Sequence, residues 1–525
     1  MFLSKIAAIA RTHLQLRLRQ PGTVFLFFLL PVLAYSLIPD RSSGMTLMQV
    51  DGQRLIYNSA TLSLATALLS AVIVSLWGFY LVFGALQREV ESHTDSTIAA
   101  TPMTNAQYVL GAILGSGSFL WLLALGLFLS IVGMHWLRGE AAFEPVVYIT
   151  TYLVILLPVL LFVPVAAFAF EATVLLAGRL GSFIYFGCWL LLVSLPVAEF
   201  VIGGSLSWTR LIDVSGMGWA VEQLSLITAG RNYSIGLVTY QPGLPSFIFP
   251  GLHFEPAQVL LRFATLAVIV PLAWMGYFLF DRFDPTKRKS RLPQPGFKKA
   301  GGVSTKENPQ WLSLCFGRLA GLPWLLRVVI ADCLLTWAMR PKVVALCFAV
   351  SALSCLAPPE YLQRFALPCL FLILVLLLAD VPVREKLAGT GALIAVVPNL
   401  PDRWVVWKWS TCVFLALSFF ALPGCRILFS NPSAALSLAI GLLLVTAAAV
   451  ALGTWTGGPT TFIALAIPLL YLIFNDGGRT GWLDFAGWYG VATPVVQTGY
   501  AALSAVLLFI AQAGHALKRR RNLCQ

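Results

Sequence analysis

An arginine followed directly by a glutamate occurs twice in this 525-residue chain within one spaced pattern. The first copy reads Arg88-Glu89, Thr94, Ile98-Ala99 and Pro102; the second reads Arg384-Glu385, Thr390, Ile394-Ala395 and Pro398. Six identities at one constant offset mark a tandem duplication. A neighbouring cation and anion in a short polar stretch offer ion pairing and charge-assisted hydrogen bonds to water or to a partner. Thr94 and Thr390 suit the N-cap of a short helix. Pro102 and Pro398 close each stretch before the next apolar run. One such stretch reads as a solvated loop; two in matched positions read as a contact surface.

Motifs for catalysis are missing. There is no HExxH and no GxSxG, and the five histidines (His13, His93, His135, His253, His515) are scattered. The cysteines lack CxxC spacing and sit mostly in apolar runs, as Cys188, Cys347, Cys369 and Cys412 do, which is where small hydrophobes belong. No G-x-x-x-x-G-K-[ST] loop occurs, so the chain has no phosphate cradle of that kind. We expect no catalytic, metal-binding or cofactor-binding residue, and no enzyme.

The elements that must carry the paired stretches are membrane helices. Hydrophobic residues make up 58% of the chain and charged ones 11%, with a mean hydropathy of +0.84. Soluble domains carry roughly 25% charged residues. Continuous apolar runs such as 61–86 and 145–170 are long enough to span a hydrocarbon core as helices, and they lack the alternation of barrel strands. The expected fold is all-α and polytopic, with twelve spans in two six-helix repeats. The first six lie at 24–38, 61–85, 108–133, 146–170, 180–197 and 260–280. The second six lie at 343–356, 365–379, 411–422, 434–454, 460–474 and 491–513. The organisation is a first half at 1–280, a basic linker at 281–327 and a second half at 328–525 with a basic tail.

Charge orients the chain. The linker and the tail at 518–521 are rich in Lys and Arg, so both are expected in the cytoplasm, and an even helix count per half places the N-terminus there too. The net charge of +13 is thereby topological and gives no reason to expect nucleic acid. Stretches 39–60, 202–255 and 475–490 fall outside, the second of them lying on or dipping into the interface. Glu171, Glu199, Arg262 and Asp380 sit at predicted boundaries and are expected to snorkel to water. Residues 10–20 and 330–340, each ending before a proline (Pro21, Pro341), interleave polar with apolar positions. Each reads as a helix lying in the inner interface, broken by the proline.

These features resemble the permease subunits of ABC exporters of the polysaccharide- and antibiotic-export type. Those have six-helix units that begin with an amphipathic elbow and carry a cytoplasmic Glu-Arg-Glu-x-Gly-Thr … Thr-Pro segment after the second helix. The first copy supplies Arg88-Glu89, Thr94 and Thr101-Pro102; the second supplies Arg384-Glu385, Gly389-Thr390 and Pro398. His93 stands in place of the Gly, and Val397 in place of the Thr before the second Pro. The resemblance implies that both segments couple to separate ABC ATPase subunits, in two copies, which bind the ATP and Mg. It further implies export of an amphipathic or hydrophobic drug, antibiotic, peptide, lipid or glycan across the cytoplasmic membrane by alternating access. Two other classes stay open: a twelve-helix secondary carrier of the major facilitator kind, and a membrane-embedded lipid- or glycan-modifying enzyme.

Overall fold

The computed structural model describes the chain except residues 1, 42–43, 92–93, 174, 203–208, 229–231, 242, 253, 281–318, 357, 359–360, 392–393, 395–396, 398–399, 401, 477, 479–480 and 524–525. It divides into two compact units, Met1–Pro293 and Gln294–Gln525.

In the first unit, α1 (Phe2–Leu18) and α2 (Pro21–Leu37) meet at 79°. Proline starts a helix well but cannot donate to a preceding turn, so the bend falls where the sequence puts Pro21. Helix α3 (Ser59–Val82) begins under an Asn58 side chain that accepts from the Thr61 amide at 2.8 Å. Two short helices follow, α4 (Ala85–Glu91) and α5 (Thr94–Ala100), then the long α6 (Asn105–Arg138), α7 (Pro145–Ala172) and α8 (Arg179–Ile202). After short α9 (Thr209–Ile212) and α10 (Met217–Ile227), the unit ends with α11 (Pro256–Ala264), a 3-10 turn and α12 (Ile269–Leu279). Small residues permit the close approach of α1 to α6: a Cβ at Gly115 would stand 2.6 Å from the His13 Cβ and 2.7 Å from the Ala10 carbonyl.

The expectation of a purely helical fold misses a three-stranded antiparallel sheet in this unit. Strand β1 (Met45–Val50) pairs with β2 (Gln53–Arg54) across a two-residue turn, Asp51-Gly52, with φ of 48° and 78°. On its other side β1 pairs with β3 (Tyr233–Thr239). Thus 39–60 and 202–255, read as separate outside stretches with only the second at the interface, are joined. The partners are far apart in sequence, and strands this short leave little periodicity to read.

The second unit repeats the opening. Helices α13 (Trp324–Met339) and α14 (Pro341–Leu356) meet at 102° at Pro341. A π-helical turn leads into α15 (Leu367–Leu378), followed by α16 (Arg384–Leu387), α17 (Trp404–Ser430), α18 (Pro432–Thr456), α19 (Thr460–Asp476) and α20 (Pro494–Leu523). Helix α17 starts well before the expected 411–422 span. Lys408 interrupts the apolar run there, and its ammonium is paired inside the fold, which lets the helix continue.

Eight helices among the described residues are long and apolar enough to cross a membrane, and counting each bent pair as one span raises this to ten. Helix α15, with 12 residues, and α19, with 17, fall short of the ~20 residues that a bilayer core needs. The protein is a polytopic, predominantly helical membrane protein.

Candidate functional site

Each Arg-Glu stretch is locked against its own unit by a polar knot. In the first unit, α3 ends at Val82 and α4 starts after Gly84, whose φ of +88° turns the chain. Both helix ends at this joint are held from outside. Arg17 of α1 donates to the carbonyls of Leu81 and Val82, at 2.6 Å each. Glu171, near the end of α7, accepts from the amides of Gly84 at 2.6 Å, Ala85 at 3.1 Å and Leu86 at 2.6 Å. A carboxylate on the free amides of a helix start satisfies donors that have no other partner and sits at the positive end of the dipole.

The motif residues continue from that joint. Glu89 meets His13 Nε2 of α1 at 3.2 Å and accepts from the Tyr108 hydroxyl of α6. Arg88 Nε donates to the Gly84 carbonyl at 3.0 Å. The Thr94 hydroxyl donates to the Glu89 carbonyl at 3.2 Å. Ile98 of α5 packs into an apolar cluster built from Leu86, Tyr108, Val109, Phe168, Ala172 and Phe280. Pro102 accepts at its carbonyl from Lys5 Nζ at 2.8 Å, and Thr104 with Gln107 forms a capping box that starts α6.

The second unit builds the same knot with different charges. Arg384 of α16 donates to Asp332 Oδ1 of α13 at 2.5 Å and to the Thr336 hydroxyl at 2.8 Å. Lys408 of α17 is fully buried, lies 2.9 Å from Asp332 Oδ2 and also pairs with Glu385. Two cations therefore balance two carboxylates. The Thr390 hydroxyl donates to the Glu385 carbonyl at 3.4 Å, matching Thr94 and Glu89. Gly389 at φ +68° ends α16 in a Schellman turn: the Thr390 amide reaches the Glu385 carbonyl at 2.9 Å and the Gly389 amide the Lys386 carbonyl at 3.2 Å.

In both units, then, the Arg-Glu stretch is tied to the opening helix and to the helix that follows, by Glu89 to both in the first and by Arg384 and Glu385 respectively in the second, and the threonine closes the same turn. The opening helix contributes His13 and Arg17 in one unit and Asp332 in the other, so the position recurs while the charge reverses. One expectation changes. Glu89 and Glu385 were expected at water or at a partner, yet their side chains are only 14% exposed and spend their charge inside the fold. The threonines, expected as N-caps, donate through their hydroxyls to the preceding turn, and the Thr390 carbonyl takes the Ile394 amide at 3.3 Å. Snorkelling also fails for Glu171 and Arg262, both buried, while Asp380 pairs with Arg340 at 2.7 Å. The side chain of Glu199, together with His93, Ala395 and Pro398, lies outside the described residues.

Among the described residues, the stretches expose Thr94, Ser96, Thr97 and Thr101 in the first copy and Lys386 and Leu387 in the second. Sequence reasoning missed Tyr108, Asp332, Thr336 and Lys408. The signal for two of them was present: Lys408 is a lone cation early in a long apolar helix, and Asp332 a lone carboxylate in another. The arrangement has no nucleophile–base geometry; it can hold a short exposed helix rigidly against three longer ones. No family profile, curated protein or solved structure matches this chain.

Proposed function

We propose that the chain is the two-repeat, twelve-span membrane subunit of an ATP-driven exporter that moves an amphipathic or hydrophobic cargo across the cytoplasmic membrane. Separate ATPase subunits, one per repeat, bind ATP and Mg and push on the stretches beginning at Arg88 and Arg384, both on the cytoplasmic side with the termini. One observation carries this reading: the two stretches share the Arg-Glu pair, the threonine-to-glutamate-carbonyl bond and a knot toward the neighbouring helices. A solvated loop needs no such anchorage. A lever does, because a force applied to an unanchored loop would be lost in its own motion.

The buried Asp332–Lys408–Glu385 cluster also favours a second reading, a proton-coupled carrier. Lys408 sits four residues from the start of α17, about 6 Å along its axis. That depth suits an anchor at a helix foot better than a coupling site at the midplane.

The test looks for a Walker-type ATPase encoded beside this chain and co-expresses and co-reconstitutes the two; the absence of any such ATPase would itself count against the reading. Bulky substitutions on the exposed faces, Thr97→Trp and Leu387→Trp, should abolish ATP-dependent cargo movement and ATPase co-purification while leaving the protein folded. Full transport by the double variant, or transport driven by a proton gradient without ATP, would overturn the reading.

A further inference from the structure

The end of the first unit remote from the Arg-Glu stretch contains a cavity that neither the duplication nor the coupling reading uses. It measures about 80 Å³, well above the roughly 10–15 Å³ that one water needs. Its walls include Asp213, Trp219, Glu222, Arg210, Arg262 and Thr265. Arg262 is only 2% exposed and reaches the Ile155 carbonyl of α7 at 3.1 Å. Ile155 lies ten residues into α7, so the guanidinium stands about 15 Å below that end of the helix, within the apolar layer.

Much of Arg262 is structural. Its two terminal nitrogens donate to the carbonyls of Asp213 at 2.6 Å and Val214 at 2.8 Å as well as to Ile155. Its Nε, however, is buried without a hydrogen-bond partner, and so is Trp219 Nε1 on the same cavity. Two residues that line one cavity thus each bury an N–H donor without a partner, one of them charged, and an acceptor oxygen in that space is what would satisfy them. Charge narrows the ligand further. Arg210 and Arg262 are balanced by Asp213 and Glu222, so a ligand with net charge would leave that charge uncompensated in an apolar layer. Leu261, 40% exposed, lines the cavity, and its neighbour Leu260 on α11 is 74% exposed. The ligand is therefore amphipathic.

We propose that this cavity holds the head of a zwitterionic phospholipid. A phosphate oxygen accepts from Arg262 Nε and Trp219 Nε1, and the ammonium lies toward the Glu222 carboxylate, which it shares with Arg210, 2.8 Å away. The acyl chains run along Leu260 and Leu261. The assignment does not depend on the transport reading.

The full chain, delipidated in detergent and titrated by native mass spectrometry, tests it with three probes: phosphatidylethanolamine, phosphatidylglycerol and soluble phosphoethanolamine. The wild type should retain phosphatidylethanolamine about tenfold better than phosphatidylglycerol, the worth of one charge-assisted contact. Trp219→Phe keeps the ring and deletes the donor, and it should weaken phosphatidylethanolamine binding by about tenfold. Glu222→Gln, at a half-exposed rim position that leaves the core intact, should erase the preference between the two lipids. Equal retention of both lipids by the wild type, an unchanged preference in Glu222→Gln, or saturation by soluble phosphoethanolamine alone would each overturn the assignment.

Discussion

Replacing Lys408 by methionine removes the one cation that touches both carboxylates of the second knot. Lys408 is fully buried and holds Asp332 and Glu385, whose side chains are 4% and 14% exposed. Breaking a buried pair by removing one partner costs about 3–5 kcal/mol, because the remaining charge stays desolvated. Asp332 keeps Arg384 at 2.5 Å, so one carboxylate rather than two is stranded, and the cost falls at the low end, about 3 kcal/mol. That is a shift of roughly 150-fold in the folding equilibrium at 1.36 kcal/mol per decade. Methionine fills nearly the same volume, so a cavity contributes little. Adding Glu385→Met to Lys408→Met removes the stranded charge, and most of the loss should return. The assay is reversible unfolding in mixed SDS–detergent micelles, read by helical circular dichroism for both singles and the double. A loss below about 0.5 kcal/mol for Lys408→Met, in the range of ordinary surface substitutions, would refute the reasoning. So would a double variant no more stable than the single.

Three further outcomes follow from the first unit. Tyr108→Phe deletes the hydroxyl that donates to Glu89 and should cost about 1.5–3 kcal/mol in the same assay, as hydrogen bonds to charged groups do. Glu171→Gln turns an amide nitrogen toward one of the three backbone donors at the start of α4; it should cost about 1–3 kcal/mol and raise hydrogen exchange at Gly84–Leu86. Gly115→Ala forces a methyl into the contact between α1 and α6 and should destabilise by about 1–3 kcal/mol, whereas Gly133→Ala, in open space on the same helix, should be neutral or stabilising.

Much of this architecture was legible because lipid imposes a simple code. Apolar runs fixed the long helices from α3 to α8 to within a few residues, and Pro21 and Pro341 marked both bends, since proline has no amide to give to the turn before it. The repeated Arg-Glu pattern located the candidate site. Its wiring was hidden because the contacts cross from one helix to another: nothing at Glu89 announces His13 or Tyr108, and nothing at Glu385 announces Lys408. Hydropathy also misjudged α17, where Lys408 counts as a break although its charge is cancelled inside the fold. The sheet escaped for the opposite reason, since β1 and β3 are brief and almost two hundred residues apart.

The central claim is that both Arg-Glu stretches offer their exposed faces to one compartment, the one holding the C-terminal tail. Single cysteines at Thr97 and Leu387, in a chain cleared of its nine native cysteines, test this with a membrane-impermeant maleimide on oriented vesicles. Both positions should label in inverted vesicles and stay protected in right-side-out ones, with Asp51→Cys on the β1–β2 turn behaving the opposite way. Labelling of Thr97→Cys and Leu387→Cys from different sides would contradict the account.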